Sequence, residues 1–236
     1  MIRVGIIATC AALILMAGIM VWTYVHLPPT GPIPVHFTGE GRADGWAVDR
    51  GQALRYFIFI MGALWFLSLA LGVIAHLAPK GGGLERSLPV LTVIWVGAAV
   101  LLTCVMGAAG FDMVRNAGAS IEPAPSMLSW VGVGVSVLII AIGNVLPKTR
   151  PNFLLGIRTP WTLSSPSTWE RTHRLGGLLI MFAGVAGVGG AFVFKDRWAI
   201  LTGVAAMLAA AFIAAIYSFV VWLSANDKGQ TPNYLP

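Results

Sequence analysis

Between Gly143 and Gly177 the chain reads GNVLPKTRPNFLLGIRTPWTLSSPSTWERTHRLGG, and this stretch holds most of the side chains able to do chemistry. Glu170 and His173 stand three apart, the spacing at which helix bundles hold metals in carboxylate-bridged sites. Such a site needs a second Glu/His set on a facing helix, and no other apolar span supplies one. A structural polar cluster, with Arg158 or Arg171 bonded to Glu170, is the simpler arrangement, and no metal or other cofactor is assigned. A rival arrangement has Arg158, Thr162 and Thr172 holding an anionic group while Glu170 or His173 moves a proton. No nucleophile with a paired base accompanies them, so no catalytic residue is named.

The second polar group lies in 27–52, LPPTGPIPVHFTGEGRADGWAVDRGQ. His36 with Asp44, joined by His26, offers donors for a metal or a proton, but at spacings that match no metal motif. Three early prolines forbid a regular helix and set a stiff, extended entry. Pro34-Val35-His36-Phe37 reads as a short extended piece followed by a glycine-rich turn, with Phe37 and Trp46 able to dip into a membrane interface. Two accounts fit the segment: an amphipathic cap lying on the membrane surface, or a recognition loop, since long ordered loops are disproportionately functional.

The elements that position these groups follow from composition. Of 236 residues, 57% are hydrophobic and 10% charged, with a mean hydropathy of +0.82. A soluble domain carries about 25% charged residues, so this chain lacks the polar surface that water requires. Its apolar residues fall in runs of about twenty, the length of a helix crossing a ~30 Å hydrocarbon core. Six spans are expected, at roughly 4–25, 54–77, 88–109, 127–146, 173–194 and 198–223. Helices are required because lipid cannot satisfy open backbone groups, and the alternation of a membrane barrel is absent. The fold class is therefore all-α: one polytopic membrane helix bundle of about six transmembrane helices, with the lipid bilayer as its first partner. The first span is read as a retained helix, since no small-x-small cleavage site precedes Pro28.

Arg3, Lys80, Arg86, Lys148, Arg150, Arg158, Arg171, Arg174 and Lys228 fall on one side of this arrangement, nine in all. Arg42, Arg50, Arg55, Arg115, Lys195 and Arg197 fall on the other, six in all. The positive-inside rule places the larger set, with both termini, on the cytoplasmic side of a cytoplasmic membrane. The net charge of +6 suits basic residues facing anionic headgroups. No soluble module exists to read nucleic acid. Cys10 and Cys104 lie inside spans as small apolar residues, with no disulfide expected.

Local signals refine the connections. The 78–87 loop, APKGGGLERS, reads as short with a flexible triple glycine. The 110–126 loop carries Asp112, Arg115 and Glu122, and Lys195-Asp196-Arg197 forms a tight turn. Gly143-Asn144 sits in the last turn of the fourth span, where an amide serves as glue between helices. Pro147 ends that span, and Phe153-Leu154-Leu155 is placed to insert shallowly. Ser165-Pro166 makes a helix start, with Ser as cap and Pro at the first position, while Ser167-x-x-Glu170 allows a start two residues later. Either start makes the fifth helix about 27 residues, near 40 Å long, with roughly two turns beyond the hydrocarbon. Glu170, His173 and Arg174 are expected on one face of that projection. Glycines at 176, 177, 184, 187, 189 and 190 read as a helix-packing stripe.

The run GNVLPKTRPNFLLGIRTPWTL followed by WERTHRLGG resembles the signature of the SdpI family of membrane immunity and toxin-sensing proteins. PPTGPIPVHFTGEGRADGW, at 28–46, is similar to the Pro-His-Phe/Gly-Asp-Gly domain of unknown function that commonly precedes that signature. The matching positions are Pro34, His36, Phe37, Gly39, Asp44 and Gly45 in the first segment. In the second they are Gly143, Asn144, Pro147, Asn152, Gly156, Ile157, Arg158, Thr159, Pro160, Trp161, Thr162, Trp169, Thr172 and His173. The resemblance implies a multi-span protein that protects against or senses a secreted membrane-active peptide, with a cytoplasmic regulatory protein as a second partner. It assigns no chemical role to these residues. From the chemistry of the two segments together with the resemblance, the candidate binding residues are His36, Phe37, Asp44, Asn144, Asn152, Arg158, Thr159, Trp161, Thr162, Glu170 and His173. The alternatives are a small transporter or membrane-embedded enzyme acting on an anionic or lipid-linked substrate, and a structural accessory subunit.

Overall fold

A computed structural model of the chain describes residues 2–38, 43–78, 80–117, 126–194 and 197–226. In order, the elements are α1 (Ile2–His26), β1 (Thr30–Phe37), β2 (Ala43–Asp49), α2 (Arg50–His76), α3 (Gly83–Arg86), α4 (Leu88–Asn116), α5 (Ser126–Val145), a 3-10 turn (Leu146–Lys148), α6 (Pro160–Ser164), α7 (Pro166–Val193) and α8 (Arg197–Asn226). Among the described residues six helices are long and apolar enough to cross a membrane, α1, α2, α4, α5, α7 and α8. The protein is a multi-pass, all-α membrane bundle decorated by one hairpin.

The span boundaries move where a local signal overrides hydropathy. α2 begins at Arg50 because the Asp49 carboxylate accepts the Gln52 N–H at 2.8 Å and caps it. α4 continues to Asn116, since nothing between 109 and 116 breaks a helix, so Asp112 and Arg115 are helical and not in a loop. Asp112 is buried there, near the helix end. Pro166 opens α7 as the first of the two expected starts. Glu122, the pair Lys195-Asp196 and the tail beyond 226 lie outside the described residues.

Two cores organise the bundle. α1, α2 and α4 enclose Met16, Phe57, Leu64 and Met106, and the hairpin adds Ile33 and Ala47 to the same cluster. A hydroxyl–indole knot ties these helices: the Trp95 indole N–H lies 2.9 Å from Thr9 Oγ1 and 3.1 Å from Ser68 Oγ. α5, α7 and α8 form the second core around Ile139, Ile180, Ala183 and Ala210. Here the glycine stripe packs as expected at 176, 177, 184, 187 and 190, whereas Gly189 faces open space. Cys10 and Cys104 are unpaired and exposed on the bundle surface, so neither acts as a buried filler.

Within 27–52, β1 and β2 pair antiparallel as the two strands of a hairpin, with Pro34 opposite Trp46 and His36 opposite Gly45, and the last residues already belong to α2. Along β2, exposure alternates, so Asp44, Trp46 and Val48 point outward while Ala47 enters the core. The hairpin is thus a packed part of the bundle. It caps one end; α3 and residues 146–165 gather at the other, beside Leu71, Trp95 and Ile2.

Candidate functional site

At the end opposite the hairpin, the chain from Leu146 to His173 folds back as a hydrogen-bonded clamp. Thr159 caps α6, with Pro160 in its first turn; the Thr159 N–H donates to Thr162 Oγ1 at 2.9 Å, and Thr162 N–H donates back to Thr159 Oγ1. Thr162 is fully buried and donates on to a backbone carbonyl, with Ile157 O at 3.0 Å. The Trp161 indole N–H donates to Ser218 Oγ on α8, and its ring lies 5.0 Å from Phe219. The Thr-Pro-Trp-Thr element therefore pins the start of α7 to α8. Ser165 then caps α7 by accepting the Thr168 N–H.

His173 holds the other half of the clamp. Its Nε2 accepts the Ile157 N–H at 2.9 Å, and a backbone N–H can only donate. The ring is therefore the neutral tautomer with its proton on Nδ1, which donates to Trp169 O at 2.8 Å. Trp169 stacks on the imidazole at 4.0 Å and donates its indole N–H to Thr149 O at 3.2 Å. Both ring nitrogens are engaged and the residue is buried, which leaves no nitrogen to relay a proton. Gly156 makes this fit: φ is +115°, and an added Cβ would lie 2.3 Å from His173 Nε2.

The 78–87 loop joins the clamp, a contact the sequence did not signal. Gly83 approaches Pro151 so closely that a Cβ would sit 1.7 Å from its carbonyl oxygen. Ser87 Oγ accepts the Arg150 N–H at 3.0 Å and donates to Gly83 O at 2.8 Å. The third glycine of the triplet is therefore a docking point and not slack. Gly83→Ala should loosen this junction by about 1–2 kcal/mol, and trypsin cleavage after Arg86 should speed up by about tenfold.

The candidate residues separate into two ends and two roles. Asn152 turns the clamp loop, its Oδ1 accepting the N–H groups of Leu154 and Leu155 at 2.8 and 2.7 Å. Glu170 pairs with Arg150 at 3.2 Å, in place of the expected Arg158 or Arg171, because the loop folds Arg150 over the first turn of α7. Glu170 and Arg174 are exposed while His173 is buried: the three-residue step turns the ring inward, and the expected common face does not form. Arg158 projects from the clamp into solvent or headgroups. Asn144 is exposed at the end of α5 and makes no helix-to-helix hydrogen bond among the described residues, where glue between helices was expected. Thr168 and Thr172 bury hydroxyl oxygens without a partner among the described residues. At the other end, His36 Nδ1 lies 2.5 Å from Asp44 Oδ1, both exposed, while His26 bonds Trp22 O. Phe37 is placed by its backbone alone, opposite Ala43; its side chain and Gly39 lie outside the described residues. Among the described residues no three His, Cys, Asp or Glu gather to hold a metal.

The clamp, α7 and most of α8 have counterparts in a known protein family. Residues 148–221 match the SdpI/YfhL protein family. The SdpI-type region thus begins where α5 has ended and takes in the clamp, α7 and most of α8. The "Immunity protein SdpI" of Bacillus subtilis (strain 168) is 28% identical over 98 residues, 42% of this chain and 47% of that protein. The chain spans about half the length of this curated relative. At that level the protein is a membrane protein related to SdpI immunity proteins. The hairpin lies outside residues 148–221, and no solved structure matches the chain.

Proposed function

We propose that this protein protects its cell against, or senses, a secreted membrane-active peptide. The observation that carries this reading is the SdpI/YfhL match, which falls on a clamp folded as one hydrogen-bonded unit. With the nine-to-six basic bias, the hairpin faces outward and the clamp faces the cytoplasm. The hairpin then meets the incoming peptide with Trp46, Val48 and the His36–Asp44 pair. Its bonding into the α1/α2/α4 core supports a rigid receptor more than a floating surface cap. The clamp becomes the output side, where exposed Arg158, Arg171 and Arg174 offer a basic surface to a cytoplasmic regulatory protein.

Deleting the gene should sensitise cells to a membrane-active peptide, and complementation with His36→Ala or Trp46→Ala should restore insertion but not protection. Unchanged survival across a peptide panel, with substrate-dependent flux in proteoliposomes, would replace this reading by transport. Sidedness is checked with Val48→Cys and Leu163→Cys in a chain whose own cysteines are replaced. An impermeant maleimide should reach the first from outside and the second only after permeabilisation. Labelling of both from one side would remove the division into receptor and output.

A further inference from the structure

Between α1, α2 and α4, toward the clamp end, a groove of about 510 Å³ opens on the bundle surface. That is the size of a small-ligand pocket. Its walls are Ile6, Leu13, Leu69 and Val73, and its floor is the knot of Thr9, Ser68 and Trp95. The knot leaves no donor unpaired. Thr9 donates to Gly5 O at 3.0 Å, Ser68 donates to Thr9 at 2.7 Å, and the Trp95 N–H is shared between the two hydroxyls. The floor therefore asks for hydrocarbon and not for a polar guest. At its mouth the groove is lined by Ile2, His76 and Leu77. Arg3 follows Ile2, and Lys80 comes three residues after Leu77; both are exposed. The nearby acid, Glu85, is engaged by the Gly81 N–H.

We propose that this groove holds an acyl chain of an anionic phospholipid whose headgroup rests against Arg3, His76 and Lys80. Apolar walls, with exposed Arg3 and Lys80 close in sequence to the residues at the mouth, complement an acyl chain beneath an anionic headgroup. A second copy packed in the same orientation would set the cationic mouths against each other. A cationic peptide would meet the same repulsion. The site is independent of the immunity reading.

Native mass spectrometry of the full chain with phosphatidylglycerol and phosphatidylcholine of identical chains tests it. Unmodified protein should retain phosphatidylglycerol in preference. Gly72→Leu should cut retention of both lipids by about tenfold; its Cβ would lie 3.5 Å from the Trp95 ring, so the backbone tolerates it while the side chain fills the groove. Arg3→Gln and Lys80→Gln should each cost about fivefold in phosphatidylglycerol, about 1 kcal/mol, and leave phosphatidylcholine unchanged. Leu69→Trp, at an exposed lining position, is the second blocking variant should Gly72→Leu fail to fold. Equal retention by the folded blocked variants, no preference between the lipids, or a dimer that the blocking substitution dissociates would each overturn the proposal.

Discussion

Replacing His173 by Ala is expected to destabilise the protein by about 3 kcal/mol, read as a lowered unfolding midpoint in detergent. Three losses add up. The Ile157 N–H is left without its acceptor, the Trp169 carbonyl loses the imidazole N–H and keeps only its helical donor, and the stacked Trp169 ring faces a void. His173→Gln, which carries both an acceptor and a donor, should recover part of the loss. The same variant decides between structure and chemistry. If His173→Ala abolishes protection while its unfolding midpoint stays at the wild-type value, the imidazole acts directly, and the clamp account of this residue is wrong.

Gly177→Leu should be at least as damaging, about 3 kcal/mol or more, because the obstacle is backbone. An added Cβ at Gly177 would lie 2.7 Å from Gly143 O and 2.8 Å from the Pro147 ring. One at Gly143 would lie 2.7 Å from Met181 N. Main-chain atoms cannot rotate away, so α5 and α7 must separate, and the family-matched region loses the helix it rests on. Gly189→Leu is the control: nothing lies within 4 Å of its added Cβ, so it should insert and unfold as wild type does. Folded yield by size exclusion and an α5–α7 disulfide cross-link distinguish the two. Equal behaviour of both variants would mean that the close approach does not matter.

How much of this was readable in advance depended on the range of each interaction. The six spans were legible because hydrocarbon thickness dictates helix length, and the Ser165-Pro166 start because capping is local. Thr159-Pro160-Trp161-Thr162 carried the same cap-then-proline signal, yet a five-residue helix gives no periodicity to attach it to. Ser87 and Gly83 were invisible: their partners Arg150 and Pro151 are more than sixty residues away in sequence. Glu170 and His173 looked like neighbours on a face, but burial sorted them to opposite sides of it. The residues that seemed most chemical, His173 and Thr162, turned out to bind backbone. Arg158 and the His36–Asp44 pair keep the exposed polarity that a partner needs.

Asp49 is both the last residue of β2 and the cap of α2, so no hinge separates hairpin from helix. Twenty-seven residues make α2 a rod of about 40 Å. Its far end, at Leu71 and Ala75, shares a cluster with Leu155 of the clamp. Force applied at the hairpin would therefore arrive at the clamp as leverage, a tilt of one stiff beam about the Thr9–Ser68–Trp95 knot.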